Sequence, residues 1–130
     1  MKALNLLARI LMATIFVLSG FHKLVAFSGT AAFIGTLGYP VPQLFTVLAI
    51  LFELGGAILL LIGFKTRLAS AALIIFLILA TLTVHVQNMV KQPARAQEES
   101  VQILKNIAIL GGLIRFYTAG AGGYAVDRDA

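Results

Sequence analysis

The run from Phe45 to Lys65, FTVLAILFELGGAILLLIGFK, constrains this chain more than any other stretch. About 20 apolar residues at a rise of about 1.5 Å match the roughly 30 Å hydrocarbon core of a bilayer, so the run reads as a membrane-spanning helix. One carboxylate, Glu53, sits near its middle. An acid at that depth costs roughly 2.5–3.5 kcal/mol on insertion scales. It is tolerated where it faces other helices and is either neutral or paired. The functional question is therefore what Glu53 faces.

Three further apolar runs accompany it, giving expected spans of about 4–27, 45–64, 68–90 and 101–119. Of the 130 residues 60% are hydrophobic and only 12% charged, too few charges to cover a soluble domain of this size. The expectation is one domain over 1–130: an all-α integral membrane four-helix bundle. Met1 and Lys2 ahead of an apolar run resemble a signal peptide, but Arg9 interrupts the run and no small-residue cleavage site follows, so it reads as a retained helix. The stretch from Phe27 to Gln43 is too short and too rich in Gly and Pro to span. Ser28 suits an N-cap there, and Thr30–Leu37 suits a short interfacial helix stopped by Gly38. That segment is either a lid over a pocket or a plain connector. KQPARAQEES, from Lys91 to Ser100, reads as a solvent loop.

The net charge of +5 is placed as membrane topology requires, not as nucleic-acid binding requires, because the basic residues cluster at the ends of apolar runs. Four spans put both termini on one side. That side holds Lys2, Arg9, Lys65, Arg67, Arg115 and Arg128; the other holds Lys23, Lys91, Arg95 and Lys105. The short Lys65–Arg67 turn is the best indicator, and it puts both termini in the cytoplasm of a bacterial inner membrane. Arg9 and Arg115 read as headgroup anchors. The absence of cysteine excludes disulfides, thiolate metal sites and a dithiol relay carried by this chain alone.

At that topology the remaining polar residues converge. Lys23 falls near the outer end of the first helix and His85 near the outer end of the third. Lys105 and Asn106 open the fourth helix, and Glu53 lies roughly 13 Å below the outer end of the second. Arg9, Ala13, Phe16, Gly20 and Lys23 recur at steps of four and three, which places them on one face of the first helix. Glu53 and His85 are the candidate proton-handling pair, and Lys23, on the small-residue face of the first helix, stands first among Lys23, Lys105, His85 and Asn106 as the group expected to compensate Glu53. Lys23, Lys105 and Asn106 are the candidate ligand-binding groups, with Gly20, Gly56 and Ala108 expected to leave a groove for an apolar tail. Two lysines and a histidine against one acid would leave a positive surplus suited to a neutral-to-anionic head, such as a quinone or a lipid headgroup. The bland alternative has both lysines snorkelling to headgroups. Too few metal ligands gather for a metal site, and His22 points about 100° away from its neighbour Lys23, which argues against haem held by two imidazoles.

The ordered set of Arg9, Gly20, Lys23, Glu53, Gly55-Gly56, Gly63, Thr66-Arg67, His85, Lys105-Asn106 and Gly111-Gly112 resembles the DoxX family of small bacterial membrane proteins over about residues 5–128. The resemblance implies a four-helix membrane bundle and an association with quinone-linked redox chemistry. The chain departs from a redox enzyme in lacking cysteine and any evident haem, flavin or iron–sulfur site, so no intrinsic cofactor is expected. Expected partners are membrane lipid, a quinone, further copies of the chain or other membrane subunits, and no nucleic acid. Two classes of function follow: a quinone-linked redox component, or a non-catalytic subunit of a larger respiratory or oxidative-stress complex.

Overall fold

A computed structural model describes residues 1–127, so Arg128, counted above for topology, lies outside the described residues. Among the described residues the chain is all-helical. There are five helices: α1 (Lys2–Val25), α2 (Phe27–Thr36), α3 (Pro42–Ile62), α4 (Thr66–Lys91) and α5 (Ala96–Ala119), with a 3-10 turn at Pro93–Arg95. Of these, α1, α3 and α4 are long and apolar enough to cross a membrane. Their outward faces carry large apolar side chains such as Leu18, Leu51, Leu68 and Leu79, all more than half exposed. An apolar belt of that extent is what a lipid environment, not water, accommodates.

The expected face of α1 is the one that packs: Arg9, Ala13, Phe16 and Gly20 are its buried residues. Two helix boundaries differ from expectation. The second helix begins at Phe27 with no side-chain cap, so Ser28 lies inside it; Gly38, in a left-handed conformation (φ 93°), lies just beyond its end. The segment expected as solvent loop becomes helical from Ala96, because Pro93–Arg95 turn the chain directly into α5. Glu98 and Glu99 therefore fall in the first turn of α5, where acids complement the helix dipole.

The long helices close on a core of Ala13, Phe16, Ala57, Leu60, Ala69, Leu73, Leu77 and Leu113. Helix α4 lies against both α3 and α5, α1 lies against α3, and α2 packs on the start of α3. Small residues set the approach: a Cβ on Gly20 would stand 3.1 Å from Leu54 Cβ, and one on Gly56 would stand 2.9 Å from Leu73 Cγ. Both helices near the middle of the fold are locally widened. Helix α3 contains a π turn at Leu51–Gly55 and α4 a π segment at Thr81–Val86. Such widenings recur at functional sites. Here they carry Glu53 and His85.

At the opposite end, the N-terminus, the Gly63–Lys65 turn and the C-terminal segment meet. Arg9 is not a headgroup anchor. It is fully buried, and its guanidinium donates to the carbonyls of Leu61 (2.8 Å), Gly123 (2.9 Å) and Tyr124 (2.6 Å). Five donors in a planar fork let one side chain collect three carbonyls. The returning segment also caps α4: the amides of Lys65 and Thr66 donate to the two carboxylate oxygens of Asp127, each at 2.8 Å. Gly63 must be glycine. Its φ is 70°, and a Cβ would run into Ala125 and the Arg9 guanidinium.

Candidate functional site

One cavity of about 290 Å³ lies between the helices, at the end where α4 leads into α5. Lys23 of α1, Glu53 of α3, His85 of α4 and Lys105 and Asn106 of α5 all line it, as does Phe33 of α2. Phe16, Phe76 and Leu77 supply apolar wall. The five polar residues singled out from the sequence thus share one space.

Glu53 is buried (4% exposed), and Lys23 donates to its Oε1 at 2.7 Å. The face of α1 that carries Gly20 brings Lys23 there, since close contact between Gly20 and Leu54 draws α1 onto the turn holding Glu53. The same ammonium donates to Ser19 Oγ at 2.8 Å and stands 5.8 Å from the centre of the Phe76 ring. An ammonium has three N–H donors, so one remains for the cavity.

The second pair comes from the far end. His85 Nδ1 is 2.7 Å from Glu99 Oε2, and Glu99 is only 3% exposed. Asn88 Nδ2 and Arg95 Nη2 each lie 3.4 Å from the other carboxylate oxygen, Oε1. With Nδ1 committed to Glu99, Nε2 is the ring nitrogen available to a ligand in the cavity that His85 lines. Asn106 is buried and donates to Thr81 Oγ1 at 2.9 Å, and Thr81 in turn donates to the Leu77 carbonyl at 2.7 Å.

Three expectations need correction. Gly20 and Gly56 do not line the cavity: Leu54 and Leu73 fill the space in front of them, so they are packing points and not a groove. Ala108 is exposed on the outer surface of α5 and lines no tail groove. The expected positive surplus is also absent. Glu99, buried beside His85, adds a second acid, and Lys105 is an exposed rim residue whose ammonium goes to Gln102 Oε1 at 2.7 Å. Glu99 was missed because it sits in a polar stretch that reads as loop. The signal was present: Glu99 and Asn106 are seven residues apart, two helical turns, hence on one face once the helix extends back to Ala96.

These features define a small all-helical protein with three helices apolar enough to span a bilayer and a partly open, largely apolar cavity between its long helices, into whose lining five polar side chains come. The chain belongs to the DoxX family, whose model matches residues 4–86. That segment includes Lys23, Glu53 and His85 and ends before α5. The chain is 34% identical over 127 residues to inner membrane protein YphA of Escherichia coli (strain K12), covering 96% of this chain and 89% of the relative. It is 32% identical over 123 residues to inner membrane protein YqjF of the same organism, covering 95% of this chain and 88% of the relative. No solved structure matches it.

Proposed function

We propose that the chain is a multi-pass bacterial inner-membrane protein, a four-helix bundle in which α1, α3, α4 and α5 span and α2 lies at the interface. The names of both relatives support the location. Helix α5 packs along α4, a candidate span, so it shares that helix's surroundings. The basic turn Lys65–Arg67 favours a cytoplasmic side for both termini. The polar cavity would then open toward the outer leaflet.

Within that frame the cavity binds the head of a quinone, and the chain is a quinone-linked redox component. The observation that carries this is the meeting of five polar side chains from four helices in one largely apolar chamber. A chamber of about 290 Å³ is close to the lower end of small-molecule sites, roughly 300–1,000 Å³, so it fits one ring. Lys23, His85 Nε2 and Asn106 would hold the ring's oxygens. A bound quinone would supply electron and proton carriage. The chain's own part is to orient the ring and exclude water, with Glu53 and His85 holding or moving protons.

A second reading has a specific observation behind it. Lys23–Glu53 is an ion pair and His85 is hydrogen-bonded to Glu99, and such inter-helix polar pairs also suit a non-catalytic subunit in which they set helix register. Extraction of the purified protein separates the two. The quinone-to-lipid ratio of the extract is expected to exceed that of the surrounding membrane, and to fall to the membrane value in His85→Leu. No enrichment in the wild-type protein would sink the quinone reading and leave the subunit reading, for which co-purifying membrane proteins are the check.

A further inference from the structure

A second, apolar cavity of about 180 Å³ opens between α4 and α5, lined by Leu77, Ile78, Thr81, Leu82, Asn106, Ile107 and Leu110. Leu77 and Asn106 also line the polar cavity, so the two spaces share a wall. We infer that this slot is the side entrance and tail-binding subsite for the ligand whose head occupies the polar cavity, a one-tailed amphiphile of the quinone type. The inference rests on the proposed reading of the polar cavity and adds where the tail goes.

The lips of the slot are Ile78, Leu82 and Ile107, 42%, 55% and 57% exposed, on the outward apolar surface. An isoprenoid or alkyl tail meets hydrocarbon there on both sides. The head faces the opposite situation, with Asn106 at the shared wall turning the lining from apolar to polar. The slot has room for on the order of six methylene-sized groups if each takes about 30 Å³, as a water does. That suits one chain. The groove once expected along Gly20 and Gly56 is filled by Leu54 and Leu73, whereas the α4–α5 slot is an apolar space that adjoins the polar cavity.

The shared wall is also where α4 widens. The π segment begins at Thr81, whose hydroxyl donates to the Leu77 carbonyl and accepts from Asn106. That single bond between Asn106 and Thr81 bridges α4 and α5 where the two cavities meet. Breaking it costs about one hydrogen bond, so a ligand able to bond Asn106 can replace it.

The test uses the full chain in nanodiscs of one phosphatidylcholine, with binding corrected for empty nanodiscs. The probes are 2,3-dimethoxy-5-methyl-1,4-benzoquinone and its 6-decyl derivative. The wild type is expected to bind the decyl compound at least tenfold more tightly. Ile107→Trp places bulk at a lip already open to lipid, so folding is not threatened; Leu82→Trp does the same from the other helix. Each is expected to weaken the decyl compound at least tenfold and leave the tail-less compound unchanged. Equal effects on both probes, or none on either, would overturn the slot while the head site stands. Loss of a co-purifying phospholipid from the variants, with the probe ratio unchanged, would assign the slot to bilayer lipid and also overturn it. Failure of both probes to bind the wild type would remove the head site itself, and the slot with it.

Discussion

His85 Nδ1 stands 2.7 Å from Glu99 Oε2, joining the widened part of α4 to the first turn of α5 across fourteen residues of sequence. The pair is buried on its acid side, and its histidine lines the polar cavity. It makes Glu99 an anchoring residue while Glu98, one position away, has a side chain 75% exposed.

The two neighbouring acids should therefore behave differently. Glu99→Ala leaves His85 and Asn88 without their acceptor and is expected to destabilise by about 1–3 kcal/mol. Glu98→Ala loses a solvent-exposed pair with Arg95 and one acid at the helix N-terminus, and is expected to cost less than about 1 kcal/mol. Chemical unfolding in a mild detergent compares them; equal losses would mean that the His85–Glu99 contact contributes nothing of its own.

Lys23 and Glu53 are expected to be strongly coupled. Lys23→Met strands a carboxylate that is 4% exposed, at an expected cost of about 2–4 kcal/mol, below the about 3–5 kcal/mol of a fully buried pair because Lys23 is partly open. Adding Glu53→Leu to Lys23→Met should recover most of that loss, since no charge is then left unpaired. Additive losses in the double variant would show that the pair is not the unit.

Arg9 collects three backbone carbonyls from two separate segments, which an ammonium cannot span. Arg9→Lys is expected to lose stability nearly as much as Arg9→Met, by about 2 kcal/mol or more, two or three charge-assisted bonds being lost. Limited proteolysis provides the local check: the segment after Gly120 should be cut faster in both variants. A tail as resistant as wild type in Arg9→Met would place its attachment elsewhere.

Asp127 sets an acid limit on the same attachment. Burial alone pushes its carboxyl up, but the amides of Thr66 and Lys65, with Arg67 nearby, hold it below the ordinary carboxylate range. A folded-state pKa below the unfolded value of about 3.9 gives stability that is fully present above that value and lost as pH falls through the folded one. Asp127→Asn is expected to be less stable by about 0.5–2 kcal/mol at pH 7, the worth of a helix cap, and to lack this part of the acid loss below about pH 4. An unchanged acid profile in Asp127→Asn would assign the loss to other carboxylates.

The proposed orientation in the membrane rests on the Lys65–Arg67 turn, a short loop in which basic residues favour the cytoplasmic side. A reporter fused after the C-terminus is expected to be active in the cytoplasm. Activity only in the periplasm would invert the bundle and turn the polar cavity toward the inner leaflet.

The helical class, three of the four expected spans and the packing face of α1 were legible in the sequence, because each is a local property. Hydrocarbon runs of this length have few alternatives, and steps of four and three put Arg9, Ala13, Phe16, Gly20 and Lys23 on one side of any helix they form. The convergence of Lys23, Glu53, His85, Lys105 and Asn106 followed from depth along the helices, which is also a matter of counting residues. Lys23 as the partner of Glu53 was legible too, since it lies on the small-residue face of α1. What only the tertiary structure decided was the rest of the partnership. Counting could not say that α5 starts at Ala96, and so could not turn Glu99 inward to His85. Nor could it say that Leu54 and Leu73 fill the space before Gly20 and Gly56, since a missing side chain is either a groove or a contact depending on what crosses it. Arg9 read as an anchor to lipid for the same reason: its acceptors are carbonyls more than fifty and more than a hundred residues away, and backbone acceptors leave no mark on the side chains of a sequence.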